Sequence, residues 1–490
     1  MHRLALPLVS AGANGVSRLG LLVAFARVAR ARASGRLRRT PHSIVYSGAQ
    51  MRRRVVDTMG VKEQYRDYVM TGFVKRVEPV VADHGDGALL WDADGTEYID
   101  CFAGISVTNA GHHNTKVLDA AKAQADKLVH ACSYVYHVES VGALAEKLAQ
   151  ITPGRLQKSF FGNGGAEAIE GAFRLAKRFS GKNEFVALES SFHGRSYATL
   201  SVTGNSGRKK GGGPYMPGVA FAPTPYCYRC FAETTPDKCD LLCARRVSEV
   251  IRLHLSGNVC AFIAEPVMGE GGIITPPDGY FKRVKEILDE EGVLFIADEV
   301  QSGFGRTGKM FAIEHYGVEP DIITMAKGIA DGWPLSAFIA RPEIADSFQI
   351  GDHLSTFGGN PVSCAAAVAN IDFLLDGVIE GSARKGAELK ARFEELQRTQ
   401  PLIGDVRGKG LMIGVELIAD PKTKAYGTAA GAFVRQYCLE HNLLIGVGGN
   451  FGSVLRLQPP LVISDAQLDT VFATVADGIA AYARQTGVAG

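Results

Sequence analysis

Two stretches decide how this chain folds: VLFIAD at residues 293–298 and DIITMAK at residues 321–327. Each is a short apolar run, which is typical of a buried strand in a parallel sheet. The first ends on Asp298 and the second on Lys327. A lysine can capture an aldehyde cofactor, and an aspartate can hold a proton on a pyridine nitrogen. The alternative is that each charge simply marks the point where a strand reaches solvent.

Similar apolar runs alternate with amphipathic helices through the middle of the chain. Residues 184–188 and 260–264 have strand length, and residues 280–291 carry apolar side chains at helical spacing. A helical crossover between two strands implies that they pair in parallel. The pattern therefore predicts an α/β fold whose large, doubly wound domain has a mostly parallel sheet.

The pattern changes after about residue 375. A polar helix over 383–398 precedes a strand, a glycine turn and another strand within 406–417, and shorter helices and strands follow. This order is typical of a compact α+β unit. We predict a disordered extension at 1–55, the first part of a small domain at 60–108, a large domain at 109–375 with a cysteine-bearing insertion at 223–245, and the rest of the small domain at 376–490.

The charge is unevenly distributed along the 490 residues. Eleven of the 53 basic residues and no acid lie in residues 1–56, which leaves 42 basic against 51 acidic residues, a net charge of −9. A mildly acidic body does not favour binding to nucleic acid. No apolar run reaches the roughly 20 residues of a membrane helix, so we expect no membrane partner.

The N-terminal extension has two interpretations. Its arginine-rich, acid-free composition is typical of a mitochondrial transit peptide. Alternatively, the start was assigned too early, and Met51 or Met59 is the true first residue. Either way we expect residues 1–55 to lie outside the fold. We expect a cytoplasmic protein, or a mitochondrial matrix protein if the extension is a transit peptide.

Three further motifs have residue types that could bind a ligand. The glycine-rich turn at 162–165 opens a helix, and free N–H groups at a helix start suit a phosphate. In F-H-G-R at 192–195 the aromatic side chain could stack on a flat ring, although this motif alone indicates a core phenylalanine with surface histidine and arginine. A third predicted strand, at 260–264, is followed directly by an acid, Glu265. Because ligands bind at the carboxyl ends of strands in open α/β sheets, these groups are predicted to converge.

The order of these motifs resembles the class III pyridoxal-phosphate aminotransferases, fold type I enzymes that include 4-aminobutyrate, ornithine and alanine–glyoxylate aminotransferases. The resemblance runs from about residue 65 to the C terminus, and its most specific stretch is A-D-E-V-Q-S-G-F-G-R-T-G at 297–308. The other motifs are G-N-G-G-A-E-A at 162–168, F-H-G-R at 192–195, A-E-P at 264–266, M-A-K-G at 325–328 and S-T-F-G-G-N-P at 355–361.

The resemblance implies a role for each residue around pyridoxal phosphate. Lys327 would hold the aldehyde as a Schiff base and move the proton, and Asp298 would pair with the ring nitrogen. Phe192 and Val300 would enclose the ring, and Gln301 would reach its phenolic oxygen.

The phosphate would be held by the N–H groups of Gly165 and Ala166. Thr356 would reach the phosphate of the neighbouring subunit, which implies a homodimer with shared active sites. The chain departs from the family at Gly164, where a serine or threonine is usual, and this could loosen the phosphate slightly.

Carboxylate binding is also implied by the resemblance. Arg456 would bind a substrate carboxylate bidentately, and Arg195 would help to bind a substrate with a carboxylate at one or both ends. Glu265 would pair with Arg456 when the donor lacks an α-carboxylate.

Four of the nine cysteines are clustered at C-x2-C-x8-C-x3-C spacing. Four thiolates could form a closed zinc site that staples a surface loop. The alternative is an ordinary insertion with free thiols, since only the first pair has knuckle-like spacing. The candidate ligands are Cys227, Cys230, Cys239 and Cys243.

The sequence as a whole predicts an aminotransferase with a small ω-amino acid such as 4-aminobutyrate as donor and a 2-oxo acid as acceptor. Alanine–glyoxylate transamination is one alternative, and an amino-acid racemase on the same scaffold is another. A non-catalytic sensor is disfavoured because both Lys327 and Asp298 are present. The exact substrates are left open.

Overall fold

A computed structural model describes residues 57–72 and 77–487 of the chain. The predictions for the extension at 1–55 lie outside the described residues. The strands are β1 (Ala82–Asp86), β2 (Leu89–Asp92), β3 (Glu97–Cys101), β4 (Lys158–Gly162), β5 (Glu184–Leu188), β6 (Val219–Ala222), β7 (Val259–Ala264), β8 (Leu294–Asp298), β9 (Ile322–Met325), β10 (Ser336–Ala340), β11 (Ile403–Lys409), β12 (Met412–Asp420), β13 (Ala425–Tyr426), β14 (Leu443–Gly448) and β15 (Val454–Leu457).

Helices flank these strands along the chain. They are α1 (Thr58–Tyr68), α2 (Thr115–Lys127), α3 (Glu139–Ile151), α4 (Gly165–Ser180), α5 (Tyr197–Val202), α6 (Ser206–Lys209), α7 (Leu242–Leu253), α8 (Tyr280–Glu291), α9 (Pro342–Ala345), α10 (Pro361–Phe373), α11 (Ile379–Gln397), α12 (Thr428–Glu440) and α13 (Asp465–Thr486). Short 3₁₀ turns occur at Cys227–Arg229, Ala312–Tyr316 and Lys327–Ile329.

The first sheet has seven strands in the order β4-β10-β9-β8-β7-β5-β6. The pairs from β9 through β8, β7 and β5 to β6 are parallel, and β10 is antiparallel to both of its neighbours. Every residue of β5, β7, β8 and β9 is buried, as expected for parallel strands that are covered on both faces. The predicted α/β fold with a mostly parallel sheet is confirmed.

Helix α8 shows how the sequence forms the crossover between β7 and β8. Its buried side chains, which include Tyr280, Val284 and Leu288, lie on one face at intervals of about one turn. Gly292 ends the helix in a left-handed conformation with φ of 60°, which glycine adopts without steric cost. The observed bounds match the predicted helix at 280–291.

The second sheet joins both ends of the described chain. Its order is β1-β2-β3-β14-β15-β12-β11, with β13 paired to β12. Strands β3 and β14 pair in parallel, whereas β14, β15, β12 and β11 form an antiparallel run. Residues from the start and the end of the chain therefore form one sheet.

One described helical stretch, Pro361–Gln397, is long and apolar enough to span a membrane by length and composition. Half of the residues in its most apolar 18-residue window are buried inside the protein. The buried half of this window is the part that packs inside the protein.

Candidate active site

A cavity of about 290 Å³ lies where β7, β8 and β9 end. Lys327 and Asp298 both line this cavity, together with Glu265. The structure therefore brings the three strand-end residues of the sequence analysis to one site. Other predicted site residues that line it are Gly165, Ala166, Phe192, Arg195, Val300 and Gln301.

Lys327 begins a 3₁₀ turn just after β9, and its backbone φ of 48° is left-handed. A non-glycine residue in this region costs about 1–2 kcal/mol, so the surrounding fold must hold the turn. Burial lowers the pKa of the Lys327 amine, although Asp298 and Glu265 act in the opposite direction. A lowered pKa favours the neutral amine, which can attack a carbonyl and accept a proton.

Asp298 is buried at the end of β8 and is held by three partners. Its Oδ2 lies 2.7 Å from Nδ1 of His193, and its Oδ1 accepts hydrogen bonds from the Val300 N–H at 3.1 Å and the Thr324 hydroxyl at 3.3 Å. These contacts fix the direction in which the carboxylate faces the cavity.

His193 was missed as a functional residue by the sequence analysis. The F-H-G-R motif alone indicates a surface histidine, but the side chain is fully buried. The reason is local: the His193 N–H donates to the Thr203 hydroxyl at 3.1 Å, so the chain after β5 folds back inside the protein. No periodicity in this short loop could have revealed that burial.

The start of helix α4 forms another wall of the cavity. Its N-cap residue, Gly164, makes no side-chain capping hydrogen bond, so free N–H groups are available at the helix start. A Cβ added at Gly165 would lie only 2.8 Å from Cγ1 of Val300. Glycine at this position therefore lets the helix start approach the end of β8 closely.

These residues fit pyridoxal phosphate. An amine, a buried carboxylate and a helix N terminus line the same cavity. In the described part of the chain, Oε1 of Gln301 is buried without a hydrogen-bond partner. An unpaired buried polar atom is costly, and a polar group of a bound cofactor would satisfy it.

In this structure the acidic partner of Arg456 is Glu270 rather than Glu265. Arg456 Nη1 donates to Glu270 Oε2 at 2.8 Å, and Arg208 donates to the other oxygen of the same carboxylate. Burial alone would raise the pKa of Glu270, but Arg456 and Arg208 hold it below its usual range. Glu270 lines the cavity and was missed, although it is a second acid only five residues after Glu265.

The predicted pairing of Glu265 with Arg456, which concerns a bound donor without an α-carboxylate, stays a prediction, and in this structure Glu265 has other partners. The two carboxylate oxygens of Glu265 accept hydrogen bonds from the Phe192 N–H at 3.0 Å and the Gly269 N–H at 2.8 Å. Burial raises the pKa of Glu265 to about 7. Glu265 therefore ties together the loops that follow β5 and β7.

Arg456 belongs to β15 and approaches the site from the second sheet. Its neighbour across the sheet is β14, where a Cβ at Gly448 would lie 2.6 Å from Arg456 Nε. That Nε is buried and has no hydrogen-bond partner among the described residues. Glycine at position 448 therefore leaves room for the Arg456 side chain, whose guanidinium has the geometry to bind a carboxylate.

The other two residues predicted to bind ligands lie in different settings. Arg195 lines the cavity, and its Cζ lies 5.6 Å from the centre of the Phe192 ring. Thr356 does not line the cavity and is exposed on the chain surface.

The four clustered cysteines are free thiols in this structure. Among residues 57–72 and 77–487, no three histidine, cysteine or acidic side chains are arranged to hold a metal ion, so the zinc prediction is not supported. Cys227 is exposed in a 3₁₀ turn, whereas Cys243 is buried on α7. Burial raises the pKa of Cys243 to about 12, which favours the thiol over the metal-binding thiolate.

The fold and the site together define a pyridoxal-phosphate-dependent enzyme of fold type I. The family model described as aminotransferase class-III matches residues 73–479. The solved structure of a Bacillus anthracis aminotransferase superimposes with a TM-score of 0.81 at 34% identity, covering 86% of this chain and 98% of that one.

Three curated relatives have similar identity but different activities. An acetylornithine aminotransferase of Methanothermobacter thermautotrophicus is 40% identical, covering 84% of this chain and 97% of the relative. A leucine/methionine racemase of Thermococcus litoralis is 40% identical, covering 80% and 88%. A 4-aminobutyrate aminotransferase of Mycobacterium bovis is 40% identical, covering 81% and 91%. This chain belongs to the class III aminotransferase family.

Proposed function

We propose that this aminotransferase moves an amino group from a small ω-amino acid, such as 4-aminobutyrate, to a 2-oxo acid in a ping-pong reaction. The observation that carries the proposal is the Glu270 carboxylate between the cavity and Arg456. Glu270 matches the charge of Arg456 inside the protein, and a second arginine, Arg195, lies on the cavity wall.

This arrangement suits two substrates that differ at the reacting carbon. In an ω-amino acid the carbon that bears the amine has no carboxylate, so a buried Arg456 without a partner would be costly. Glu270 removes that cost by pairing with Arg456. A 2-oxo acid brings its own carboxylate to the same place and can form the bidentate pair with Arg456 in place of Glu270.

The far end of the donor would be recognised by Arg195. A 4-aminobutyrate molecule has its amine and its carboxylate at opposite ends, so an amine beside Lys327 leaves the carboxylate free to reach a second cation. The cavity of about 290 Å³ limits the donor to a small molecule.

Pyridoxal phosphate, when bound, supplies an aldehyde for amine exchange and an electron-withdrawing ring. Lys327 would hold the aldehyde and, as a buried amine of lowered pKa, carry the proton at the reacting carbon. Asp298 would hold the proton on the ring nitrogen. His193 keeps the Asp298 carboxylate in place at 2.7 Å. The Gly165 and Ala166 N–H groups would hold the phosphate, and Gln301 the phenolic oxygen.

The proposal includes a homodimer in which Thr356 completes the site of the partner subunit. Within one chain Thr356 is exposed, and it is flanked by the exposed apolar side chains of Leu354 and Phe357, which are 60% and 62% accessible. Exposed apolar patches of this kind mark interaction surfaces.

Two other functions compete with this proposal. Alanine–glyoxylate transamination would also need one carboxylate-binding arginine, and Arg456 could serve it. Racemisation is favoured by a specific observation, since one of the relatives is named a leucine/methionine racemase. A racemase would return the proton to the opposite face of the same carbon and release no 2-oxo acid.

The proposed function is tested with single amino donors added to the purified holoenzyme without an acceptor. We expect 4-aminobutyrate to convert the cofactor to its amine form, seen as loss of the visible absorbance band. A 2-oxo acid should then restore the band. Conversion by alanine but not by 4-aminobutyrate would favour the alanine–glyoxylate alternative.

Chiral chromatography separates transamination from racemisation. Incubation with single enantiomers of leucine, methionine and alanine, without any 2-oxo acid, should leave each enantiomer unchanged. Rapid interconversion of the enantiomers together with a stable visible band would overturn the proposed function.

A further inference from the structure

Arg407 lies outside the active-site cavity but is bonded to the turn that carries Glu270. Its Nε and Nη2 both donate to the Gly272 carbonyl oxygen, at 3.0 and 2.5 Å. Gly272 lies two residues after Glu270, and its N–H closes the turn by donating to the Gly269 carbonyl at 3.1 Å. The guanidinium therefore holds the turn by two of its donors.

Two acids hold Arg407 from the other side. Its Nη1 lies 2.7 Å from Asp405 Oδ2 and 2.8 Å from Glu416 Oε2. The side chain is buried, as is that of Glu416. A buried guanidinium with all three nitrogens bonded has little freedom to move, since each lost bond leaves a buried donor or charge without a partner.

The cysteine-bearing insertion packs onto this group. The Tyr226 hydroxyl donates a hydrogen bond to Glu416, and the centre of the Tyr226 ring lies 4.7 Å from the Arg407 guanidinium. Arg229 Nε donates to the other Glu416 oxygen at 2.6 Å. Residues of the insertion thus shield the Arg407–Glu416 pair from solvent, and this exclusion of water strengthens the attraction between the two charges.

We propose that Arg407 is a positioning residue for the amino-transfer reaction: it fixes the 269–272 turn so that Glu270 faces Arg456, and the insertion secures Arg407 through Tyr226 and Arg229. This inference rests on the proposed function, in which Glu270 matches the charge of Arg456 whenever the donor lacks an α-carboxylate. Arg407 thereby sets the preference between the two kinds of substrate without touching either.

The test compares Arg407→Lys with wild type, because lysine keeps the charge but cannot donate twice to Gly272 while pairing with both acids. We expect kcat/KM for 4-aminobutyrate to fall about tenfold relative to that for a 2-oxo acid. Glu270→Gln should shift the same ratio in the same direction, and the double variant should shift it no further than Glu270→Gln alone, because both changes act on one element.

Amide hydrogen exchange supplies a readout that does not depend on turnover. Peptides that cover residues 269–273 should exchange about tenfold faster in Arg407→Lys than in wild type, because the turn loses its bonds to the side chain. Tyr226→Phe should produce a smaller change in the same direction. Arg392→Lys is the matched control, since Arg392 pairs with Asp469 on the surface at 2.7 Å, and it should change neither readout.

Unaltered exchange in Arg407→Lys, or an equal loss for both substrates, would overturn the positioning role. A variant that loses only thermal stability, with the substrate ratio unchanged, would also overturn it. If the wild-type enzyme itself transfers no amino group from 4-aminobutyrate, the proposed substrate is wrong. The hydrogen-exchange measurement still decides whether Arg407 holds the turn.

Discussion

His193→Phe is the substitution that tests most directly how the site is organised. The histidine is fully buried and lies 2.7 Å from Asp298. Its other ring nitrogen, Nε2, has no hydrogen-bond partner in the described chain, so a phenyl ring of similar size removes a single contact, the one that Asp298 Oδ2 makes to His193. After the change, Asp298 keeps only its bonds of 3.1 and 3.3 Å to Val300 and Thr324.

The expected effect follows from the strength of the lost bond. A hydrogen bond to a charged group contributes about 1.5–3 kcal/mol, which corresponds to about 10- to 150-fold in rate if it is lost where the reaction needs it. We expect kcat to fall within that range. KM for the donor should change little, because His193 does not bind the substrate carboxylates.

The assay is the single-turnover rate of the donor half-reaction, measured by stopped-flow absorbance. His193→Asn is the control, since the asparagine amide can donate from nearly the position of Nδ1 and should recover most of the rate. A His193→Phe enzyme within twofold of wild type would refute the role given to His193. Equal damage by phenylalanine and asparagine would show that the effect is one of packing.

Two further predictions address the amine and a buried acid. Lys327→Ala should abolish the visible band of the lysine-bound cofactor and lower turnover by at least about 10³-fold without loss of the fold, and circular dichroism provides the control. Burial raises the pKa of Glu299 from 4.5 to about 7, so its contribution to stability is present below pH 4.5 and is lost as the pH rises through about 7. In urea unfolding, the free energy of unfolding should fall less between pH 5 and 8 for Glu299→Gln than for wild type, by up to about 3 kcal/mol. An identical pH dependence in the two proteins would contradict the raised pKa of Glu299.

The strands and their end residues could be predicted because they depend on short stretches of sequence. The run ending at Asp298 and the run before Lys327 are continuous and apolar, and both form strands of the parallel sheet. Parallel pairing then places their carboxyl ends at one edge. Convergence of Lys327, Asp298 and Glu265 on one cavity was predictable for this reason.

The contacts within the site were less predictable, since they join distant parts of the chain. Arg456 pairs with Glu270 across 186 positions, and His193 meets Asp298 across 105. Glu265 and Glu270 are both acids in one short segment, and nothing local distinguishes which of them faces Arg456. The choice depends on how the 269–272 turn lies against the second sheet.

The amino-acid sequence alone therefore determined the kind of fold, the strand that ends in each reactive group and the family to which the chain is similar. Periodicity and motif order contain that information because each acts over a few neighbouring residues. Only the tertiary structure decided which carboxylate neutralises Arg456 and that His193 is buried. It also decided that Arg407 holds the 269–272 turn, which carries Glu270. Those outcomes depend on contacts between residues far apart in the chain, within the first sheet for His193 and between the two sheets for Arg456 and Arg407, where separations of a few ångströms select one hydrogen-bond partner over another.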